Sequence, residues 1–329
     1  MVGGDGGRDH ERARPVVLLQ TAPKRAILAV AVTARGASRT ARRKPFDNAY
    51  LRTRRRRPAT PRLRQQQLGN MAGSDDARRA AARHVPLLIL HPDETAFPCS
   101  GDYLVRSSRL WDKEDGRVCE RHVSEQTLRD HDDARYALDP CPGSLNGEVV
   151  DGLGSVPIYY HTYECGDRTY VQYIFVYANN PGYRCCGLPL GRHKSDVEHV
   201  TLELQSADGR VLRVYFSAHG HTQGQWVPAG QCEWHTDGRR LRVYAARGSH
   251  ACYPRAGTYV RALGVANDVC GDGLVCDLAL RELPDAAWTK FAGTLTPTGV
   301  SPPRRQAWFG HENGVTLPWW KRVFCCCLW

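Results

Sequence analysis

Between residues 196 and 204 the chain alternates strictly. Val200, Leu202 and Leu204 fall on one side, and His199, Thr201 and Glu203 on the other. A period of two describes a strand half buried on a sheet face, and a helix cannot satisfy it. Ala207-Asp208-Gly209 follows as a turn, so the run 211–217 returns as the partner strand of a hairpin. Upstream, 157–163 and 169–177 are rich in aromatic and β-branched residues and flank a Gly166-Asp167 turn. Shorter strands are expected at 225–227 and 241–245. Residues 85–90 form a short apolar run, 104–110 read as a short helix, and 111–152 are polar and turn-rich. No segment keeps a helical period over three turns. The expectation is a mostly β chain, an antiparallel β-sandwich with short helices and long loops.

Charge divides the 329 residues unevenly. The formal net charge is +11, yet residues 1–70 hold 17 Lys+Arg against 4 Asp+Glu, leaving 28 against 30 over 71–329. The segment 1–70 includes the run Arg54-Arg55-Arg56-Arg57 and has too little apolar content to offset its ordering entropy, so it reads as a disordered Arg-rich arm. A transit peptide, upstream sequence preceding a start at Met71, and a basic arm for nucleic acid or anionic membrane all fit it. The near-neutral remainder argues against a nucleic-acid partner. No apolar run approaches the length of a spanning helix. Three parts are expected: the arm 1–70, a sandwich domain 71–318, and a tail 319–329.

Thirteen cysteines contain no CxxC pair, so zinc-ribbon and thioredoxin chemistry are not indicated. Scattered cysteines without a secretory signal read as reduced, buried small hydrophobes. Cys270 and Cys276, joined by a glycine turn, are the first pair to consider for a disulfide. The tail combines Trp319, Trp320, Lys321 and Arg322 with Cys325, Cys326 and Cys327. That is the chemistry of S-acylation at a membrane surface, and equally of a tail whose tryptophans pack on the sandwich.

Asp196 and Glu198 are i and i+2 on one strand, so both carboxylates project from the face that Val200 continues. His193 precedes them in a loop opened by Gly191. Two carboxylates and an imidazole make a partial shell for Mg²⁺ or Ca²⁺. The competing reading is an ion-pair network with Arg192, Lys194 or Arg247. His250, after Gly248-Ser249, is either a fourth ligand or acid/base group, or a histidine bonded to backbone. His219 and His221 read as solvated loop residues, and His91 and Glu94 as anchors of the first strand. No Gly-x-Ser-x-Gly elbow marks a serine hydrolase.

Four segments together resemble the vacuolar protein sorting-associated protein 62 family: LLILHPDETAFPCS at 87–100, PIYYHTYECGDRTYVQYIFVY at 157–177, GRHKSDVEHVTLEL at 191–204 with RVYFSAH at 213–219, and RVYAARGSHACYPRAG at 242–257 with Asn267-Asp268. The third departs from the family pattern at Arg192, Lys194, Ser195 and Val197. The resemblance implies a non-enzymatic role in protein targeting to the vacuole or membrane trafficking. It also implies membrane-surface or trafficking-protein partners and a cytoplasmic location peripheral to the vacuolar or endosomal membrane. The same stretch is similar to the heptapeptide of the necrosis-inducing Nep-like cytolysins, which implies a divalent-cation site at His193, Asp196 and Glu198, with His250 added as a fourth group. A metal-dependent hydrolase and a membrane-active, cytolysin-like protein are the alternative functions. The absence of a recognisable secretion signal argues against the second.

Overall fold

The computed structural model describes residues 75–148, 153–185, 188–219, 224–261, 264, 266–300 and 302–303. All of them fall in one compact unit, 66–329. The arm 1–70 and the tail 319–329, with Cys325, Cys326 and Cys327, lie outside the described residues.

In chain order the elements begin with α1 (Asp75–Arg83), β1 (Leu87–Ile89), α2 (Gly101–Arg106), β2 (Ser108–Asp112), β3 (Arg117–Glu120), α3 (Glu125–Asp130) and β4 (Tyr136–Pro140). The long strands follow: β5 (Pro157–Cys165), β6 (Arg168–Asn180), the short pair β7 (Tyr183–Cys185) and β8 (Leu188–Leu190), then β9 (His193–Gln205), β10 (Val211–Phe216) and β11 (Gln225–Pro228). Short strands complete the chain: β12 (Arg242–Ala245), β13 (Cys252–Tyr253), β14 (Gly257–Tyr259), β15 (Asp268–Cys270), β16 (Val275–Cys276) and β17 (Ala279–Glu282), before α4 (Ala287–Lys290).

Six strands form the central sheet in the order β11-β10-β9-β6-β5-β17, and four form a smaller one, β13-β12-β1-β16. Alternation on β6 and β9 explains how they pack. Tyr173, Phe175 and Tyr177 on β6 and Val200 and Leu202 on β9 share one face and meet Leu88 and Val243 of the smaller sheet in a single apolar core. The intervening residues Ile174, Val176 and Val197 point the other way, into a second core with Leu104, Leu138 and Trp288. The central sheet is therefore covered on both sides, by the small sheet on one and by α2, α4 and the sheet β3-β2-β4 on the other. α1 docks at the edge of the first core, where the Tyr173 hydroxyl donates to the Ala81 carbonyl at 2.8 Å.

The mostly β expectation holds, with three additions. Two pairings are parallel, β5 with β17 and β1 with β12, so neither sheet is purely antiparallel. Residues 111–152 contain strands after all. They are short, and beside the buried Leu110, Ala137 and Leu138 they carry ion pairs: Arg135 with Asp112, and Arg109 with Asp139. The helix expected at 104–110 stops at Arg106, because Ser107 caps it and Ser108 already pairs with Pro140. Cys270 and Cys276 are buried and unbonded. Among the described residues no helix is long and apolar enough to cross a membrane.

The second core closes on Trp288, which is 0% exposed and lies tilted against Tyr159 at 5.4 Å. The Tyr159 hydroxyl accepts the Gly101 N–H at 3.0 Å. A Cβ at Gly101 would sit 2.3 Å from the Trp288 ring. Gly101→Ala should overpack this contact and destabilise the fold by about 1–3 kcal/mol. A lower midpoint in urea denaturation checks it, and an unchanged midpoint contradicts the packing described.

Candidate functional site

At one end of the first core the apolar residues give way to charge. β9 delivers Asp196 and Glu198 to the core face, opposite Tyr177 and Phe175 of β6. The turn between β12 and β13 delivers His250, and the segment after β1 delivers Glu94. His250 is 0% exposed and stacks on Tyr177, with ring centroids 3.8 Å apart and planes 2° from parallel. Its Nδ1 lies 3.1 Å from Asp196 Oδ2, and its Nε2 lies 3.9 Å from Glu94 Oε1. The second distance is that of an ion pair and exceeds a hydrogen bond. Asp196 also accepts from Asn180 Nδ2 at 2.8 Å and from the Val197 N–H at 3.0 Å.

Backbone donors hold Glu94 in place. Oε1 accepts from Thr95 and Ala96 at 2.8 and 3.0 Å, and Oε2 accepts from Gly248 at 2.6 Å. Gly248 has φ of 74°, and a Cβ there would meet the Gly182 carbonyl at 2.1 Å, so no other residue fits that loop as it stands. Burial alone would raise the Glu94 carboxyl. His250 and these N–H groups outweigh it and hold Glu94 at about 2. Burial likewise favours a neutral His250, but Asp196 and Glu94 win and raise it to about 9. His219 and His250 act on Glu198 from nearby, but they do not outweigh its burial. Burial and then the neighbouring Asp196 charge push it up to about 8, so it is a protonated acid at neutral pH, hydrogen-bonded to Ser217.

A second carboxylate hub adjoins the first through Ser249. Asp268 accepts from Ser249 Oγ at 2.8 Å, from the Tyr253 hydroxyl at 2.7 Å and from Arg261 at 3.2 Å, and it pairs with His219 Nε2 at 2.6 Å. These partners, His219 foremost, overcome its burial and lower it to about 2. The backbone is strained at the same place. Ser195, His219 and His250 are the non-glycine residues with positive φ among those described, at 53°, 53° and 55°. Such strain persists only where surrounding contacts over-determine it.

The sequence-derived set is therefore partly assembled. Asp196, Glu198 and His250 lie in one buried cluster. His193 is half-buried at the start of β9, its Nδ1 2.7 Å from the Ser195 carbonyl. Among the described residues no group of three His, Cys, Asp or Glu side chains is arranged to hold a metal ion. The expected ion pairs form elsewhere, since Lys194 goes to Asp139 and Arg247 to Asp93. His219 is a partly buried partner of Asp268, contrary to its reading as a solvated loop residue. His221 lies outside the described residues. Glu94 is more than an anchor of β1, and Asp268 was visible only as the Asn267-Asp268 pair.

The titrations set a pH profile. Glu94, with an ordinary value of 4.5, contributes stability that is present above pH 4.5 and lost as pH falls toward 2. His250 contributes stability that is full below 6.5 and lost as pH rises through 9. Glu198 holds its proton more tightly folded than unfolded, so folding weakens from pH 4.5 up to 8. The melting temperature should be highest near about pH 5 and fall on both sides. Glu198→Gln should flatten the fall up to pH 8. A melting temperature that climbs over that interval would contradict the arrangement.

The family model described as vacuolar protein sorting-associated protein 62 matches residues 53–283. No curated protein matches the chain. Solved structures that resemble it include the non-toxic HaNLP3 protein, 14% identical, covering 72% of this chain and 96% of that one, with a TM-score of 0.35. Another is Necrosis and Ethylene inducing Protein 2 from the causal agent of cocoa's Witches Broom disease, 11% identical, with 77% and 96% covered and a TM-score of 0.33. A third is NLPPya in complex with mannosamine, 11% identical, with 64% and 75% covered and a TM-score of 0.33. The family match takes in Glu94, the β6–β9 pairing, His250 and Asp268, and the chain belongs to the vacuolar protein sorting-associated protein 62 family.

Proposed function

We propose that this protein is a non-enzymatic member of its family that serves protein targeting to the vacuole. It would act in the cytoplasm at the surface of a vacuolar or endosomal membrane, with trafficking proteins as partners. One observation carries the non-enzymatic part: the most informative charged residues are turned inward. His250 is 0%, Glu198 5% and Asp196 6% exposed, and their bonds join β9, the β12–β13 turn and the segment after β1 to one another. Groups arranged in this way lock a scaffold and do not face a substrate. The family's name supports the targeting role.

A Mg- or Ca-dependent hydrolase is the second reading. In its favour, burial first and then the neighbouring Asp196 push Glu198 up to about 8, a cost that a cation beside it would offset. As arranged, the donors do not fit one. Asp196 is bonded by Asn180 and His250, Glu94 is taken up by backbone N–H groups, and His193 turns to the Ser195 carbonyl. No catalytic step through a metal follows.

In cells lacking the protein, vacuolar hydrolase precursors should appear in the medium, and unaltered sorting overturns the targeting role. The full chain should float with vesicles containing phosphatidylserine. If removal of 319–329 leaves flotation unchanged, Cys325, Cys326 and Cys327 are not the anchor. Elemental analysis of the full chain beside Asp196→Ala/Glu198→Ala tests the second reading. Stoichiometric Mg or Ca lost in the double variant would establish the cation site which that reading requires, and equal, negligible metal in both would overturn it.

A further inference from the structure

Segment 191–204 departs from the family pattern at Arg192, Lys194, Ser195 and Val197, and the cations among these take no part in the buried hub. In strict alternation Lys194 would share the face of Asp196 and Glu198. Ser195 breaks that alternation. Its φ of 53° is left-handed, and its Oγ donates to the carbonyl of Leu295, a residue of the second core, at 2.6 Å. Lys194 reaches the opposite side of the sheet, where its Nζ pairs with Asp139 of β4. Arg109 of β2 pairs with the other oxygen of the same carboxylate.

Charge does not balance in this cluster. Asp139 faces two cations, and each occupies one of its oxygens. Arg192 adds a third cation, exposed and without an ion pair among the described residues. It precedes Lys194 by two residues, which keeps their Cα atoms within about 7 Å. Three cations against one carboxylate leave an excess of two positive charges. The Asp139 side chain is 9% exposed, whereas Arg109 and Lys194 are 32% and 30% exposed. The carboxylate therefore lies beneath, and the cations keep a side that solvent can reach. Their donors are not used up either. An ammonium has three and a guanidinium five, and the Arg109 Nε has no acceptor.

A phosphate group suits such an arrangement. It is compact, it offers several acceptor oxygens, and guanidinium and ammonium groups bind it by charge-assisted hydrogen bonds. Near neutral pH a phosphate monoester carries close to two negative charges, which matches the excess. A carboxylate would cancel only half of it. Asp139 competes for the same donors, so exchange with solvent phosphate can be ready. We propose that Arg192, Lys194 and Arg109, set over Asp139, form a binding site for a phosphate group, whether free or on a lipid headgroup.

Two titrations of the full chain separate these sources. One is calorimetry with inorganic phosphate at constant ionic strength. The other is flotation with phosphatidylcholine vesicles carrying phosphatidylinositol 4-phosphate. Arg192→Glu changes an exposed residue without an ion pair, so it decides the matter even where the second variant, Lys194→Gln, does not fold. Arg83→Glu makes the same charge change at the exposed end of α1 and serves as the control. Arg192→Glu and Lys194→Gln should weaken binding roughly tenfold or more, and Arg83→Glu should leave it unchanged. A loss seen with inorganic phosphate alone assigns the free anion, and a loss on the vesicles assigns the headgroup. Unaltered binding by either variant in folded form overturns the proposal. So does an equal loss in Arg83→Glu, which would mean diffuse attraction to basic residues, or the absence of binding in both titrations.

Discussion

The imidazole of His250 holds together three stretches of chain that are distant in sequence. Asp196 meets it from β9, Glu94 from the segment after β1, and Tyr177 of β6 supplies the surface on which it lies flat. A buried charge is costly unless compensated. Here the two carboxylates offset the charge of the imidazolium, while backbone N–H groups and Asn180 hold the carboxylates themselves. The small sheet is thereby fixed to the central one at the end where their apolar contact runs out. The positive φ of His250 and Ser195 is the local cost of bringing the groups into line.

The second hub works by another route. Asp268 gathers donors of every kind, a hydroxyl from Ser249, a phenol from Tyr253, a guanidinium from Arg261 and the ring of His219. It lies one residue along from the first hub through Ser249, and Asn180 touches both Asp196 and the Ser249 carbonyl, at 2.8 and 3.4 Å. The two hubs form one polar seam at the end of the first apolar core.

How much of this could be read from the residues follows from the range of the interactions. The long strands were legible because alternation is a local signal, and Val200, Leu202 and Leu204 do face the core. The shared face of Asp196 and Glu198 follows from the same alternation. Strands β2, β3 and β4 were not legible, since each is five residues or fewer and the buried Leu110, Ala137 and Leu138 are too few among polar neighbours to mark a period. The partner of His250 could not be read either. Nothing local joins residue 94 to 250. A histidine in a glycine turn looks the same whether it faces solvent or a buried carboxylate. The positive charges beside the motif misled for the same reason, because Lys194 reaches across to Asp139 on β4.

The parallel pairings carry a consequence for the order of assembly. Leu87–Ile89 takes Arg242–Tyr244 as its neighbours, and Pro157–Tyr160 takes Ala279–Glu282. Each strand must wait for a segment far downstream, and closing so long a loop before any contact rewards it makes folding slow. During synthesis the β5 edge stays open until residue 282 has left the ribosome, offering unpaired backbone and Tyr159 to any other extended chain. The chain is thus most exposed to misassembly late in translation, when most of its central sheet already exists and one strand is still missing.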